Sequence, residues 1–309
     1  MLTISFNAAN DTAQVGSAAG GQVRVSGTGL NPVFYPAANV TSIVVTDTTG
    51  AGTTPNGQSL LVADDANGGQ LTLTGPFTVT QIDEVDFGNP NNPTIVNGGL
   101  TIQGGQHITQ SNTKVQIRTT NNSNVRLAAR ATGDAIGTAA SPIKLTNSIG
   151  GGLSTVTTAG NGNQYLSFNV SGQVWSANSA GVGSINAGTG TVTLVTGYLD
   201  GLTGNDFADT TSFALGAGGT LGVTGAEAID GLSGTGNVQA DGGPGTIVVG
   251  GNGATSTFAG TFTDATFFGP GALSVTKAGS GTLTLTGAST YTGTTTVTGT
   301  GTLNGLEMK

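Results

Sequence analysis

The segment Gly281-Thr282-Leu283-Thr284-Leu285-Thr286-Gly287 alternates hydroxyl and apolar side chains between two glycines. Alternation with a period of two is typical of a β-strand that buries one face. Similar short runs lie at residues 273–275, 294–297 and 301–303. Short strands that recur at intervals of roughly ten residues predict a stacked array of strands, a β-solenoid, in place of a globule.

The same pattern extends upstream, where short runs rich in Val, Ile, Leu and Thr alternate with Gly, Asn, Asp and Pro. These are the residues that form strands and turns respectively. Strands are predicted at residues 42–46, 59–63, 70–74, 78–82, 99–103, 114–118, 165–170, 190–195 and 245–249. Residues 125–131 form the one run with helical character, and a strand is an equal alternative because a helix of that length is marginal.

The composition limits the classes of function. The chain has 55 glycines, 8% charged residues, a formal net charge of -8 and no cysteine. Nucleic-acid binding is excluded because it needs concentrated positive charge. Disulfides and thiolate metal sites are excluded by the absence of cysteine, and no run of apolar residues is long enough for a transmembrane helix. Residues 1–6 lack an export signal, which we expect to lie outside this segment.

Four zones are predicted along the chain. Residues 1–37 contain two β runs, at 2–7 and 22–26, and form a cap or the first coils. Residues 38–230 form an irregular array with loop excursions, residues 231–305 form regular Gly/Thr-rich repeats, and residues 306–309 form a tail. The strand spacing predicts about 20 to 24 residues per coil, which is usual for solenoid repeats.

The C-terminal repeats resemble the passenger-associated β-strand repeat of bacterial autotransporters. The similar segments, in order, are Leu273-Ser274-Val275-Thr276-Lys277, then 281–287, then Thr290-Tyr291-Thr292-Gly293. The chain departs from the family pattern at Thr294, where a second glycine is common, and at Thr300, where alanine is common. Residues 133–143 and 183–190 are similar to segments of haemagglutinin-like surface exoproteins. These resemblances imply a right-handed parallel β-helix from a large surface or secreted bacterial protein.

One set of ionisable residues has a spacing that suggests chemistry. Asp65, Asp86 and His107 lie 21 residues apart, close to one predicted coil, so they are expected to stack along one edge. Carboxylates beside a histidine could cleave a polysaccharide by acid–base chemistry. The alternative, which we favour, is that the Asp-Asp-Ala-Asn-Gly and Asp-Phe-Gly-Asn-Pro segments are turns.

Other ligand-binding signals are weak. His107 is the only histidine, so a zinc site is improbable and a solvent-facing strand position is expected. The glycines of residues 242–253 lack the aspartates of a calcium-binding roll and the lysine of a phosphate loop. Weak candidates for a binding surface are Trp175, Phe262, Phe267 and Phe268, although packing in the core is the favoured role for each. No cofactor and no metal are predicted.

The leading functional hypothesis is therefore a non-enzymatic extracellular scaffold or adhesin segment. Its partner would be a host or neighbouring-cell surface, a matrix or a glycan, none of which the sequence identifies. The alternatives are a β-helical polysaccharide lyase or hydrolase that uses Asp65, Asp86 and His107, and a subunit that self-assembles through its end coils. Specificity is expected where the repeat is interrupted, at residues 83–93, 197–213 and 262–270.

Overall fold

The computed structural model describes most of the 309 residues. The residues outside the description are 50–55, 64–70, 74, 89–93, 97–98, 106, 110–116, 120–123, 133–134, 139, 141, 148–153, 162, 169–174, 178–184, 202–203, 265–268, 306 and 309. The chain divides into two compact units, Met1–Ser154 and Thr155–Lys309.

Unit 1 consists of short strands and one short 3-10 helix, Ala37–Asn39. The strands are β1 Leu2–Phe6, β2 Thr12–Ala18, β3 Gln22–Gly27, β4 Leu30–Pro36, β5 Ile43–Asp47, β6 Ser59–Val62, β7 Thr72–Leu73, β8 Phe77–Thr80, β9 Glu84–Phe87, β10 Thr94–Val96, β11 Leu100–Gly105, β12 His107–Thr109, β13 Ile117–Thr119, β14 Asn124–Thr132, β15 Ala135–Ile136 and β16 Ile143–Asn147.

The parallel strands of unit 1 pair in three rows within the described residues. The rows are β1–β5–β8–β11–β14, β2–β6–β9–β12–β15 and β7–β10–β13–β16. Ile43, Phe77, Leu100 and Val125 lie at matching positions of the first row, and all four are buried. Because each strand hydrogen-bonds to the strand one repeat away, identical faces stack and the apolar side chains form continuous columns.

The N-terminal region departs from this parallel pattern. Strands β2, β3 and β4 form an antiparallel meander, in which Val15 faces Val25 and Val25 faces Val33. Within the described residues β4 pairs with β3 alone, and Pro32 and Pro36 interrupt its row of backbone donors. Proline on an edge strand hinders the addition of another strand.

Unit 2 contains longer strands than unit 1. They are β17 Ser154–Asn161, which begins at the last residue of unit 1, β18 Gln164–Phe168, β19 Trp175–Ala177, β20 Thr191–Gly201, β21 Ser212–Ile229, β22 Leu232–Gly234, β23 Asn237–Val249, β24 Ser256–Phe258, β25 Thr261–Thr263, β26 Leu273–Lys277, β27 Thr282–Leu285, β28 Ala288–Ser289, β29 Thr295–Val297, β30 Thr302–Asn304 and β31 Glu307–Met308.

The strand pairs of unit 2 whose registers are described are all parallel. Strand β20 pairs with β21, and β21 pairs with β22 and β23. Strand β23 pairs with β25 and β26, β24 with β27, and the last steps are β26 to β29 and β27 to β30. Val192, Phe213 and Leu232 form one buried column.

Glycines allow the repeats of unit 2 to approach each other closely. A Cβ atom at Gly281 would collide with the carbonyl oxygen of Ala254, and one at Gly271 would collide with the carbonyl oxygen of Gly243. In both cases the obstacle is backbone, which cannot rotate away as a side chain can. The glycines that punctuate the sequence pattern therefore set the spacing between successive turns.

The predicted all-β class is confirmed, with parallel pairing through most of both units. Residues 125–131, for which helix and strand were equal alternatives, lie in strand β14. Residues 1–37 contain four strands, two more than the two runs predicted there. The division at Ser154 and Thr155 falls inside the predicted zone of residues 38–230, and the four zones stay a prediction.

Candidate functional site

The carboxylates and the histidine that were expected to stack lie on neighbouring strands in a different register. Strand β12 pairs with β9 so that His107 faces Glu84, and Thr109 faces Asp86. The expected alignment of Asp86 with His107 is wrong because the local repeat is 23 residues, two more than their spacing. Asp65, the third member of the set, lies outside the described residues.

The contacts of these side chains follow the observed register. His107 Nδ1 lies 2.6 Å from Glu84 Oε1, and the two side chains are 40% and 44% exposed. The Thr109 hydroxyl donates a hydrogen bond of 3.0 Å to Asp86 Oδ1. The expected solvent-facing strand position of His107 agrees with this geometry. Asp86 lies in strand β9 with Phe87 buried beside it, so the Asp-Phe part of Asp-Phe-Gly-Asn-Pro is a strand and not the expected turn.

Asp83, next to this pair, has a structural role. Its carboxylate accepts hydrogen bonds of 2.6 and 2.7 Å from the backbone N–H groups of Asn56 and Gly57, and its side chain is buried. A buried carboxylate that binds the backbone of the preceding repeat holds the turn before β6 in place.

Phe262 belongs to the core of unit 2 and not to an exposed patch. Its side chain is fully buried, and its ring centroid lies 5.1 Å from that of Phe258 and 6.0 Å from that of Tyr291. Phe267 and Phe268 lie outside the described residues, and so does the side chain of Trp175, whose backbone pairs with Leu199. A role of Trp175 in a binding surface therefore stays a prediction.

A cluster of carboxyl groups in unit 2 was not predicted. Asp200 on β20, Glu227 on β21 and Asp241 on β23 are all buried, and so is Asp206 in the segment between β20 and β21. The sequence does contain a signal for it: no Lys, Arg or His occurs between Lys144 and Lys277. Carboxylates in that stretch have no cation within the same stretch of chain to pair with, and buried carboxylates normally need one.

The cluster is held together through Tyr198. Its hydroxyl donates a hydrogen bond of 2.6 Å to Asp241 Oδ2 and accepts one of 3.0 Å from Gln239 Nε2. Gly222 on the middle strand β21 pairs with Asp200 on β20 and with Gln239 on β23. A Cβ atom at Gly222 would lie 2.6 Å from the Tyr198 hydroxyl oxygen and 2.9 Å from Asp200 Oδ1. The missing side chain at Gly222 is what allows these polar groups to meet across three strands.

Burial changes the ionisation of the cluster. Burial, followed by the charges of Asp241, Asp206 and Glu227, raises the pKa of Asp200 to about 7. Burial also raises the pKa of Glu227 to about 7, although its carboxylate accepts hydrogen bonds from the backbone N–H groups of Asp206 and Phe207. For Tyr198, burial and then the hydrogen bond to Asp241 raise the pKa well above its ordinary value of 10.

Asp264 shows the opposite behaviour at the start of a predicted loop. Its carboxylate accepts hydrogen bonds from the N–H of Leu273 at 2.8 Å and from the hydroxyl of Thr292 at 2.7 Å. Burial acts to raise the pKa of Asp264, but these bonds and one from the Thr292 N–H outweigh it, so the pKa lies below 3.8. Asp264 thus links the first residue of strand β26 to Thr292 of the following repeat.

Lys277 is the single buried lysine in the described part of the chain, and it lies inside the C-terminal repeat. Its ammonium group donates a hydrogen bond to the carbonyl oxygen of Ala278. The space for it depends on two glycines, since a Cβ at Gly250 or Gly301 would lie 2.7 or 2.8 Å from the lysine nitrogen. The lysine head group therefore lies close to the backbone of the repeat before it and of the repeat after it.

Residues 275–304 match the family described as Passenger-associated-transport-repeat. The chain carries an autotransporter passenger repeat. This confirms the predicted resemblance, and the matched residues run from the last part of strand β26, which includes Lys277, to the end of β30. Such a repeat implies a location at the cell surface or outside the cell. Searches of curated proteins and of solved structures found no match to the chain.

Among the described residues, no group of three or more His, Cys, Asp or Glu side chains is arranged to hold a metal ion. No helix in the described part of the chain is long and apolar enough to cross a membrane.

Proposed function

We propose that this chain is a non-enzymatic, extracellular scaffold segment of a large bacterial surface or secreted protein, folded as a right-handed parallel β-helix. It acts as a stiff stalk that also offers an attachment surface. One observation supports the proposal: the autotransporter repeat at residues 275–304 covers strands that pair in parallel with one another. The step between paired residues is 20 residues, as between Thr282 and Thr302.

The physical basis of a stalk is the continuity of its backbone hydrogen bonds. Each coil donates to and accepts from the coils before and after it, so bending the rod strains many bonds at once. Polar side chains extend the same ladder on the outside: Thr261 donates to Asn237 Oδ1, and Asn237 Nδ2 donates to Thr263, one repeat apart. Neutral rows of this kind stack without the repulsion that rows of like charges would create.

The partner we propose is a host or neighbouring-cell surface, an extracellular matrix or a glycan. The test is binding of the purified chain to cells, to immobilised matrix proteins and to a glycan array. Saturable binding to one of these supports the adhesin role. Absence of binding to all three leaves the stalk role alone.

A polysaccharide-active enzyme is the second candidate, and the half-exposed pair of His107 and Glu84 beside Asp86 is the observation that favours it. Such a pair can transfer protons to and from a substrate. The test is cleavage of a broad panel of polysaccharides by the wild-type chain and by Asp86→Asn, with the exposed Asp209→Asn as a matched control. Cleavage that is lost in Asp86→Asn and kept in Asp209→Asn would replace the scaffold proposal.

Self-assembly is a third possibility, favoured by Val297, which is 47% exposed on strand β29. An apolar side chain on an incompletely covered strand is a place where a second copy can stack. Light scattering over a hundredfold range of protein concentration separates the cases, because a constant molar mass of one chain eliminates assembly.

A further inference from the structure

The carboxyl cluster of unit 2 has a hydrogen-bonding requirement that only a proton can meet. Asp200 and Asp241 are both buried, the charge of Asp241 acts on the Asp200 carboxyl, and Asp200 Oδ1 has no hydrogen-bond partner among the described residues. Two ionised carboxylates cannot form a hydrogen bond, because both are acceptors without a donor. Asp241 accepts the Tyr198 hydroxyl at 2.6 Å, which favours its ionised form, whereas burial and the charge of Asp241 raise the pKa of Asp200, so we assign the shared proton to Asp200.

The charges that act most strongly on Asp200 are those of other carboxyl groups. Asp200 is 2% exposed, so water does not solvate its charge. The titratable groups near it are Tyr198 on the same strand, Asp206 in the following segment, Glu227 on β21 and Asp241 on β23, and every one is neutral or acidic. Asp209 adds a further negative charge near Glu227. No basic residue lies between Lys144 and Lys277 in the sequence.

We propose that the buried carboxyls Asp200 and Glu227 make unit 2 an acid-stabilised fold, which takes up protons as it folds and loosens as the pH rises through neutrality. The proton on Asp200 is a structural component, because it supplies the hydrogen bond that joins β20 to β23 across Gly222. When that proton leaves, two negative charges face each other in a buried site.

The sign of the effect follows from the two states. In the unfolded chain Asp200 and Glu227 have their ordinary pKa values of 3.8 and 4.5, whereas in the folded chain burial raises both to about 7. Below about pH 3 both states are protonated and the stability is complete. Between about pH 5 and 7 the folded state holds up to two more protons than the unfolded state, so each pH unit increases the opening equilibrium constant by up to about 100-fold. The loss continues through pH 7, and the curve flattens above about pH 8.

The test is amide hydrogen exchange of the full chain from pH 5 to pH 8, corrected for the intrinsic pH dependence of exchange. We expect the opening constants of peptides from β20, β21 and β23 to rise by up to about 100-fold per pH unit near pH 5.5. Peptides from β8 and β11 of unit 1, neither of which contains an ionisable side chain, serve as an internal reference. A constant opening equilibrium for the three strands over this range would overturn the proposal, whether or not any variant folds.

Three variants then assign the protons. Asp200→Asn and Glu227→Gln should each reduce the slope to about tenfold per pH unit, because each removes one of the two protons. In Asp200→Asn the opening constant should also rise less between pH 5 and pH 8 than it does in wild type, by at least about tenfold. The reason is that the asparagine amide can donate to Asp241 at any pH. The exposed Thr257→Ala, which changes no ionisable group, should keep the wild-type slope. Wild-type slopes in both Asp200→Asn and Glu227→Gln would refute the assignment.

Discussion

Replacement of Phe262 by alanine decides whether this side chain is core or surface. Phe262 is fully buried between Phe258 and Tyr291, with ring centroids 5.1 and 6.0 Å away. A buried phenylalanine removes about 150 to 250 Å² from water, and truncation to alanine in a core costs about 3 to 5 kcal/mol. The upper half of that range is expected here, because the neighbours on both sides are aromatic rings that cannot close the space.

The measurement is urea unfolding of wild type and Phe262→Ala, followed by far-ultraviolet circular dichroism. The midpoint should fall while the dependence on urea concentration stays the same, since the unfolded surface is unchanged. Thr257→Ala is the matched control, because Thr257 is exposed on strand β24 beside Phe258 and its removal should cost about 0.5 kcal/mol or less.

If Phe262→Ala lowered the free energy of unfolding by less than about 1 kcal/mol, the result would contradict the packing described for this side chain. If the same variant were as stable as wild type and lost binding to cells or glycans, Phe262 would be a surface residue. The graded variant Phe262→Leu should fall between wild type and alanine, because leucine refills part of the cavity.

Two further predictions concern the turns of unit 2. Asp264→Asn should lower the free energy of unfolding by about 1 kcal/mol at pH 7, because it removes the charge that accepts the bonds from Thr292. The pKa of Asp264 lies below 3.8, so its stabilisation is lost only as the pH falls through that range. Urea unfolding should therefore show a smaller difference between variant and wild type at pH 3 than at pH 7. Equal differences at both pH values would contradict this. Gly281→Ala should lower the free energy of unfolding by about 1 to 3 kcal/mol in the same assay, because the new Cβ meets the carbonyl oxygen of Ala254. Gly251→Ala, where a Cβ would meet nothing, should lower it by less than about 1 kcal/mol. Equal losses in the two glycine variants would refute the close-approach argument.

The all-β class and most strand positions could be read from the sequence because the alternation of apolar and polar residues is a local property. The predicted strand at residues 245–249 is the last part of β23, and its alternate residues Ile247 and Val249 are buried as expected. Residues 197–213 show where local reasoning fails, since the predicted loop begins inside β20, which runs to Gly201. Glycines read as turn residues are also tolerated within a strand when a neighbouring strand comes close.

The candidate sites were less accessible to sequence reasoning because they depend on register. A repeat of 23 residues in place of 21 moves His107 from Asp86 to Glu84. Since side chains alternate, a shift of two residues keeps the same face and changes only the partner, which periodicity alone cannot distinguish.

What the sequence determines about this protein is the kind of structure: short strands, glycine turns and an autotransporter repeat at residues 275–304, because these follow from the order of neighbouring residues. Only the tertiary structure decides which distant residues meet. Tyr198 reaches Asp241 across 43 residues of chain because β21 lies between their strands with Gly222 at the crossing point. The proposed protonation of buried Asp200 depends on that contact, and no local pattern encodes it.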